Sequence, residues 1–358
     1  MMGQIPTHTP SVVVRKPHEF AVEDLPVTPP RPDEVLVRVG AAGICGSDVE
    51  LFEGTRPAPY VRYPVVPGHE WAGTIAAVGE NVAQSATADA AGRGEPLQVG
   101  DRVVAQGFRS CGRCPRCREG ATNLCEAGYA ETGFTHPGAF SGYVTVPARL
   151  VHRLRPDADL EAAALLEPSA CVVEGIRSAR PLVGARAAVV GTGTLSLVAC
   201  QILAAYNPSE LVLIGDSPSG RELAKQWGVT RCVSVAEASE PGWTCEADVV
   251  FEAGTRTSSA GIALAAARRG GTVVLEGIPA GPADGNLTEI ALKHLTVQGI
   301  FGASAAAWEQ VVSMFNSGLL DLQPLISHRF TVNEVASALQ TLAERPADLR
   351  KVLLLPGD

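Results

Sequence analysis

Four cysteines, Cys111, Cys114, Cys117 and Cys125, form a C-x2-C-x2-C-x7-C run, a spacing that lets four thiolates converge on one tetrahedral Zn²⁺. Two disulfides in an exported protein are the alternative. The other cysteines are scattered, however, and the chain opens without a charged and then apolar leader, so a reducing, cytoplasmic setting is expected. Four thiolates leave no open coordination position, so this metal should hold a loop and catalyse nothing. A second group of donors precedes it: Cys45 in Gly43-Ile-Cys45-Gly-Ser47-Asp48, then His69 and Glu70 in Pro67-Gly68-His69-Glu70. Thiolate, imidazole and carboxylate are first-choice zinc donors, and three of them with one position left open make a catalytic zinc. Singly, each is more often a small buried thiol, a satisfied imidazole or a solvated charge, and their coincidence with the four-cysteine run and a dinucleotide turn is what points to a metal. Neighbouring strand residues face opposite sides, so His69 and Glu70 reach one metal only where the backbone leaves regular strand geometry, which Pro67-Gly68 permits.

A third constellation follows the apolar run Ala187 to Val190: Gly191-Thr-Gly193-Thr194-Leu195-Ser196, leading into the helix-like stretch Leu197 to Ala205. Two glycines at a strand-to-helix turn allow the tight bend and close backbone approach that seat a pyrophosphate on a helix N-terminus. Ser196 replaces the usual third glycine, which weakens the motif, yet serine is small enough for close helix–sheet packing. The next apolar run, Leu211 to Ile214, ends in Gly215-Asp216, where a carboxylate that binds the adenosine ribose hydroxyls is expected. Such a carboxylate repels a 2′-phosphate, so NAD is expected rather than NADP. Arg221 leaves room for NADP, and Asp216 has a plainer alternative as a turn or cap residue.

The elements that must position these groups fall into two textures. The first 150 or so residues are turn-rich, with short strand-like runs at Val35 to Val39, Gly73 to Val78 and Asp101 to Val104, and a small-residue segment, Ala83 to Pro96, that reads as a surface insertion. From about Asp157 the apolar runs Ala187 to Val190, Leu211 to Ile214, Asp248 to Phe251 and Thr272 to Leu275 alternate with helix-length stretches, which implies βα units and a parallel sheet. A chain of 358 residues suits two domains, and a composition 46% apolar and 19% charged argues for a folded globular protein. A net charge of −9 gives no drive toward nucleic acid or anionic lipid, and no apolar stretch reads as a membrane span.

In order and spacing the chain resembles the medium-chain zinc-dependent alcohol dehydrogenase family over nearly its whole length. The resemblance rests on Gly43-Ile-Cys45-Gly-Ser47-Asp48, Gly68-His69-Glu70, Val99-Gly-Asp101-Arg-Val, the four-cysteine run, Leu166-Glu167-Pro168 and Gly191-Thr-Gly193. Glu167, where primary-alcohol dehydrogenases usually carry a second cysteine ligand, is closest to the sorbitol and threonine dehydrogenase branch. The resemblance implies an α/β protein: a GroES-like β-rich catalytic domain from residues 1–156 and 301–358, and a Rossmann NAD-binding domain from 157–300, with substrate in the cleft. It also implies two zinc ions per subunit, a homodimer or homotetramer, and Ser47 as acceptor of the substrate proton. An apolar Thr272 to Gly277 run is compatible with pairing at the cofactor-domain edge, though burial within the sheet explains it equally.

Several assignments stay open in sequence. Cys45 and His69 are expected on the catalytic zinc with either Glu70 or Glu167, because a second direct carboxylate makes the site anionic. Glu167 is otherwise a helix cap before Pro168. Glu50, where the branch usually has histidine, is either an outer proton station or a solvated charge. Lys351 is expected at the cofactor pyrophosphate or in solvent, and Phe134 and Phe140 as substrate wall or core. The expected activity is NAD-linked oxidation of a secondary alcohol of a polyol, cyclitol, sugar or amino alcohol. An aliphatic or aromatic alcohol dehydrogenase and a catalytically silent zinc and dinucleotide binding protein are the alternatives.

Overall fold

The computed structural model describes residues 5–82, 96–279 and 281–356, so the expected insertion over 83–96 lies, but for its last residue, outside the described residues. The chain divides into two compact units, Met1–Glu167 with Ser304–Asp358, and Pro168–Ala303. The first unit opens with an antiparallel pair, β1 (His8–Lys16) and β2 (Glu19–Pro26). Its larger sheet begins with β3 (Glu34–Ile44), β4 (Glu70–Val78), β5 (Arg102–Ala105), β6 (Tyr143–Pro147) and β7 (Val151–Arg153), all paired antiparallel. Alternating apolar positions such as Val35, Val37 and Val39 are buried with Ile75, Val103 and Val144 in one core.

The second unit is a parallel sheet of β8 (Arg186–Val190), β9 (Glu210–Ile214), β10 (Arg231–Val233), β11 (Ala247–Glu252), β12 (Ala267–Leu275) and β13 (Thr296–Gly299). Their order, β10-β9-β8-β11-β12-β13, is the doubly wound Rossmann arrangement, whose switch point lies between β8 and β11. Strands buried on both faces need continuous apolar runs, and Leu211 to Ile214 are all fully buried. The Thr272 to Gly277 run lies largely in β12, hydrogen-bonded to β11 and β13 on its two sides, so the sheet interior accounts for it. The chain then returns to the first unit with β14 (Ile326–Thr331) and β15 (Lys351–Leu355); β15 pairs with the end of β3, Val352 opposite Ile44.

The compact units change over at Glu167/Pro168 and Ala303/Ser304, later than the expected bounds after 156 and 300. Helix α3 (Leu160–Ala163) shows why the first falls late: Leu160 packs so closely on β3 that a Cβ at Gly40 would lie 2.5 Å from its Cδ1. The helices that carry candidate groups are α1 (Gly46–Glu53), α2 (Pro115–Arg118), α3 (Leu160–Ala163), α4 (Leu166–Ala179), α5 (Thr194–Ala204) and α6 (Pro218–Gln226). Among the described residues no helix is long and apolar enough to cross a membrane.

Candidate active site and metal centres

The four cysteines converge: one ligand atom from each of Cys111, Cys114, Cys117 and Cys125 lies within 4.8 Å of all the others. Cys111 and Cys117 sulfurs are 3.9 Å apart, close to the ~3.8 Å edge of a tetrahedron with Zn–S bonds of about 2.3 Å. Backbone amides are turned onto the sulfurs. Cys111 N–H donates to Cys125 Sγ at 3.3 Å, Cys114 N–H to Cys111 Sγ at 3.4 Å and Cys117 N–H to Cys114 Sγ at 3.5 Å. The amides of Arg113 and Cys114 pull the Cys111 thiol down to about 6, while burial and the neighbouring thiols push Cys117 up to about 11. Four crowded thiols do not all ionise unaided, and a zinc ion is the charge that lets them do so.

A second cluster gathers Cys45, His69 and Glu70, whose ligand atoms also lie within 4.8 Å of one another. Cys45 is the residue before α1, and its amide donates to Asp48 Oδ2 at 2.9 Å. Asp48 is fully buried, and its Oδ1 lies 3.4 Å from His69 Nδ1; neither atom has a hydrogen-bond partner among the described residues. Nδ1 therefore faces the carboxylate and Nε2 is left for a metal, the usual way a histidine ligand is oriented. Burial pushes the His69 imidazole down, but Asp48 and Cys45 outweigh it and hold its pKa well above the ordinary value.

His69 and Glu70 meet at one point because His69 precedes β4 and Glu70 is its first residue. Gly68 there has φ +99°, a conformation glycine adopts without strain. Gly43 stands opposite Glu70 in the β3–β4 register, and a Cβ on it would fall on Glu70 Oε2. The missing side chain is the space that the Glu70 carboxyl occupies. The loop after the four-cysteine run clasps this turn, with Gly138 N–H bonded to Val66 O at 2.7 Å, Ala139 N–H to Gly68 O at 2.9 Å and Phe140 N–H to Pro67 O at 2.9 Å.

Thiolate, imidazole and carboxylate suit zinc, and the orphaned Asp48–His69 pair is what a metal on the far ring nitrogen would complete. Glu167, in the first turn of α4, is not in the three-residue cluster. Burial lifts its carboxyl to about 8, with Glu70 and Glu131 adding to the rise and His69 and Lys351 opposing it. Geometry thus brings Glu70, rather than Glu167, to Cys45 and His69. Ser47 lies half-buried in the first turn of α1, and Glu50 turns to Arg56, Oε2 to Nη1 3.8 Å, with its side chain 47% exposed.

Lys351 departs from expectation, and the two phenylalanines take the second of their two expected places. Lys351 is not solvated and does not lie in the second unit: it is buried, with Nζ 2.6 and 2.8 Å from the two Glu70 oxygens. Burial pulls its ammonium down, but Glu70 and Cys45 outweigh this and raise it. Phe134 and Phe140 are core, 1% and 0% exposed, because the clasping loop turns them inward. Phe134 packs on the His69 ring with centroids 4.8 Å apart, and the Arg56 guanidinium carbon lies 3.9 Å from its centroid. Sequence reasoning also passed over Glu131, which is buried and accepts a hydrogen bond from Tyr129 Oη, itself bonded by Arg56 at 2.9 Å. Asp48 was legible as the third residue after Cys45, the spacing of a carboxylate that caps a helix start.

In the second unit, Gly191 at the end of β8 has φ +115°, and a Cβ there would lie 2.5 Å from Ser196 Oγ. Gly193 precedes α5, and a Cβ on it would meet nothing within 4 Å. The amides of Thr194 and Leu195 thus open α5 beside free space, the shape a pyrophosphate requires. Asp216 is exposed two residues beyond β9, its Oδ1 accepting the Val235 N–H at 3.0 Å. Two guanidiniums flank it: Arg221 Nη2 at 3.8 Å from Oδ1 and Arg256 Nη2 at 3.7 Å from Oδ2. Arg221 Nη2 is buried without a hydrogen-bond partner among the described residues, although Nε donates to Gly215 O at 2.6 Å. Arg256 had no signal in the sequence, because it comes from the loop after β11.

Comparison with known proteins agrees with this geometry. The alcohol dehydrogenase GroES-like domain matches residues 31–156, and the zinc-binding dehydrogenase family matches residues 194–317. An L-threonine 3-dehydrogenase of Bacillus subtilis (strain 168) is 32% identical over 333 residues, covering 90% of this chain and 91% of that protein. A sorbitol dehydrogenase of Arabidopsis thaliana is 34% identical over 326 residues, covering 87% of this chain and 86% of the other. The solved structure of an Escherichia coli CFT073 alcohol dehydrogenase, rspB, complexed with NADH superimposes with a TM-score of 0.84 at 26% identity, over 98% of this chain and 100% of that one. With identity at this level sustained across both units, the chain belongs to the medium-chain zinc-dependent alcohol dehydrogenase family, in its sorbitol and threonine dehydrogenase-like branch.

Proposed function

We propose that the protein transfers hydride between a secondary alcohol and NAD, and that its substrate is a polyol, cyclitol, sugar or amino alcohol. The observation that carries this reading is the gathering of Cys45, His69 and Glu70 with two further carboxyls, buried Glu131 and half-buried Glu167, each raised by desolvation. Carboxyl groups pair with extra hydroxyl or amino groups that an apolar channel would leave unsatisfied.

In this reading Cys45, His69 and Glu70 hold the catalytic zinc, with Glu167 behind them or exchanging with Glu70. The four-cysteine loop holds a second, structural zinc. When bound, the catalytic zinc makes the substrate hydroxyl more acidic. Ser47 Oγ accepts the proton that leaves, and Glu50 at the exposed end of the same helix is its outer station. In the second unit Gly191, Gly193 and the amides of Thr194 and Leu195 seat the pyrophosphate, and Asp216 accepts the ribose hydroxyls, so NAD is the coenzyme. The nine cysteines all stand as free thiols, which suits the cytoplasm. Exposed Ile278, Leu287 and Leu292, between β12 and β13, support a homodimer or homotetramer.

The test is NAD reduction against a panel of polyols, cyclitols and amino alcohols, with simple aliphatic and aromatic alcohols as comparators, alongside metal analysis. Turnover confined to the polyfunctional panel and two zinc ions per chain are expected. Equal turnover of simple alcohols would reassign the substrate class, and a single zinc with no turnover would leave only a binding protein.

A further inference from the structure

Lys351 stands where the two ends of the first unit's chain meet. It opens β15, and the pairing of Val352 with Ile44 sets it beside the residue that precedes Cys45. Its Nζ donates to both Glu70 oxygens and approaches Ile44 O at 3.4 Å. The two side chains are 6% and 1% exposed. An ammonium or a carboxylate buried to that degree is strongly unfavourable alone, and each offsets part of the other's penalty. A carboxylate has about four lone-pair sites, so Glu70 can receive Lys351 and still present an oxygen to a metal.

We infer that Lys351 is a positioning residue for the catalytic metal: bonded to both Glu70 oxygens, it keeps that carboxylate aimed between Cys45 and His69. This rests on the reading of Cys45, His69 and Glu70 as the catalytic zinc ligands.

The experiment uses the zinc-loaded chain and separates the two claims. Wild-type protein with two zincs and Cys45→Ser with one would establish the ligand reading without reference to Lys351. Zinc release to a chelator is then measured for Lys351→Met, Lys351→Gln and Lys351→Arg, with absorption spectra of cobalt-substituted protein as the second readout. The neutral variants should keep the four-cysteine zinc, release the catalytic ion about 10–100-fold more readily and shift the cobalt ligand-field bands, and Lys351→Arg should restore retention. Lys351→Gln keeps a hydrogen-bond donor in place and carries the test if Lys351→Met does not fold. Wild-type retention and an unchanged cobalt spectrum in either neutral variant would overturn the inference.

Discussion

Asp48 stands directly behind His69, its Oδ1 3.4 Å from Nδ1, while its other oxygen holds the amide of Cys45. One fully buried carboxylate thereby orients two proposed zinc ligands. Replacing a group that orients a histidine ligand typically lowers metal affinity or activity by about 10–100-fold. Asp48→Asn should therefore weaken retention of the catalytic zinc to that degree while leaving the four-cysteine zinc in place. Metal analysis after graded chelation checks this, and equal loss from both sites would show that the change is general unfolding.

Gly43 tests the site from the opposite side. Any Cβ at this position falls on Glu70 Oε2, and the contact lies deep in the β3–β4 pairing where the backbone cannot move away. Gly43→Ala should push the Glu70 carboxyl out of reach of Cys45 and His69. The expected result is a folded protein with one zinc instead of two and turnover reduced at least 100-fold. A variant with two zincs and wild-type activity would mean that Glu70 is not needed at the metal.

Asp216 sits between Arg221 and Arg256, so the carboxylate proposed to select NAD balances two guanidiniums at that point. Asp216→Ser should raise kcat/KM with NADP about 10–100-fold, the worth of one or two charge-assisted hydrogen bonds, and lower it with NAD. Arg256→Ala in the same background should return NADP use toward the wild-type level. Coenzyme titrations followed by NADH and NADPH absorbance decide it. No change in the NADP to NAD ratio for Asp216→Ser would remove the residue from coenzyme choice.

Much of the architecture was open to reading because it depends on local pattern. The runs at Ala187 to Val190 and Leu211 to Ile214 fall within β8 and β9, since a strand covered on both faces must be apolar throughout. The four cysteines and the turn at Gly191 are equally local. What escaped was long-range. Nothing near Lys351 signals Glu70, 281 residues away in sequence, and only the β15–β3 pairing brings them together. Phe134 and Phe140 read equally as pocket wall or core because aromatic type says nothing of direction; the clasp on Pro67 and Gly68 turns them into the core. Glu131 lacked any motif, and its place depends on Tyr129 and Arg56. β10 and β13 are too short and mixed to announce themselves by periodicity.

Removing the catalytic metal should change the sign of the protein's response to pH. Glu167 titrates at about 8 and Glu252, buried at the end of β11, at about 7, both lifted by desolvation. In the unfolded chain both ionise near 4.5. The folded, metal-free state therefore binds more protons, and its stability falls as pH rises from the unfolded values through the folded ones. His69 acts in the same direction: its folded pKa is raised, so the stability it adds is complete below its ordinary value of 6.5 and is lost as pH climbs past the raised one. His152, lowered to about 4 by burial, opposes this only below about 6.5. With the four-cysteine zinc in place, which keeps the lowered Cys111 thiol out of the titration, the Glu167, Glu252 and His69 contributions align between pH 6.5 and 8, and Glu167 alone should remove roughly 2 kcal/mol. Zinc binding favours neutral His69 and ionised carboxylates, so the loaded protein should instead gain stability over that range. Thermal unfolding at pH 6.5 and 8 of protein stripped of the catalytic zinc alone, with the four-cysteine zinc retained, against fully loaded protein checks this: the two melting temperatures should move in opposite directions, and parallel shifts would show that Glu167 and His69 do not face the metal.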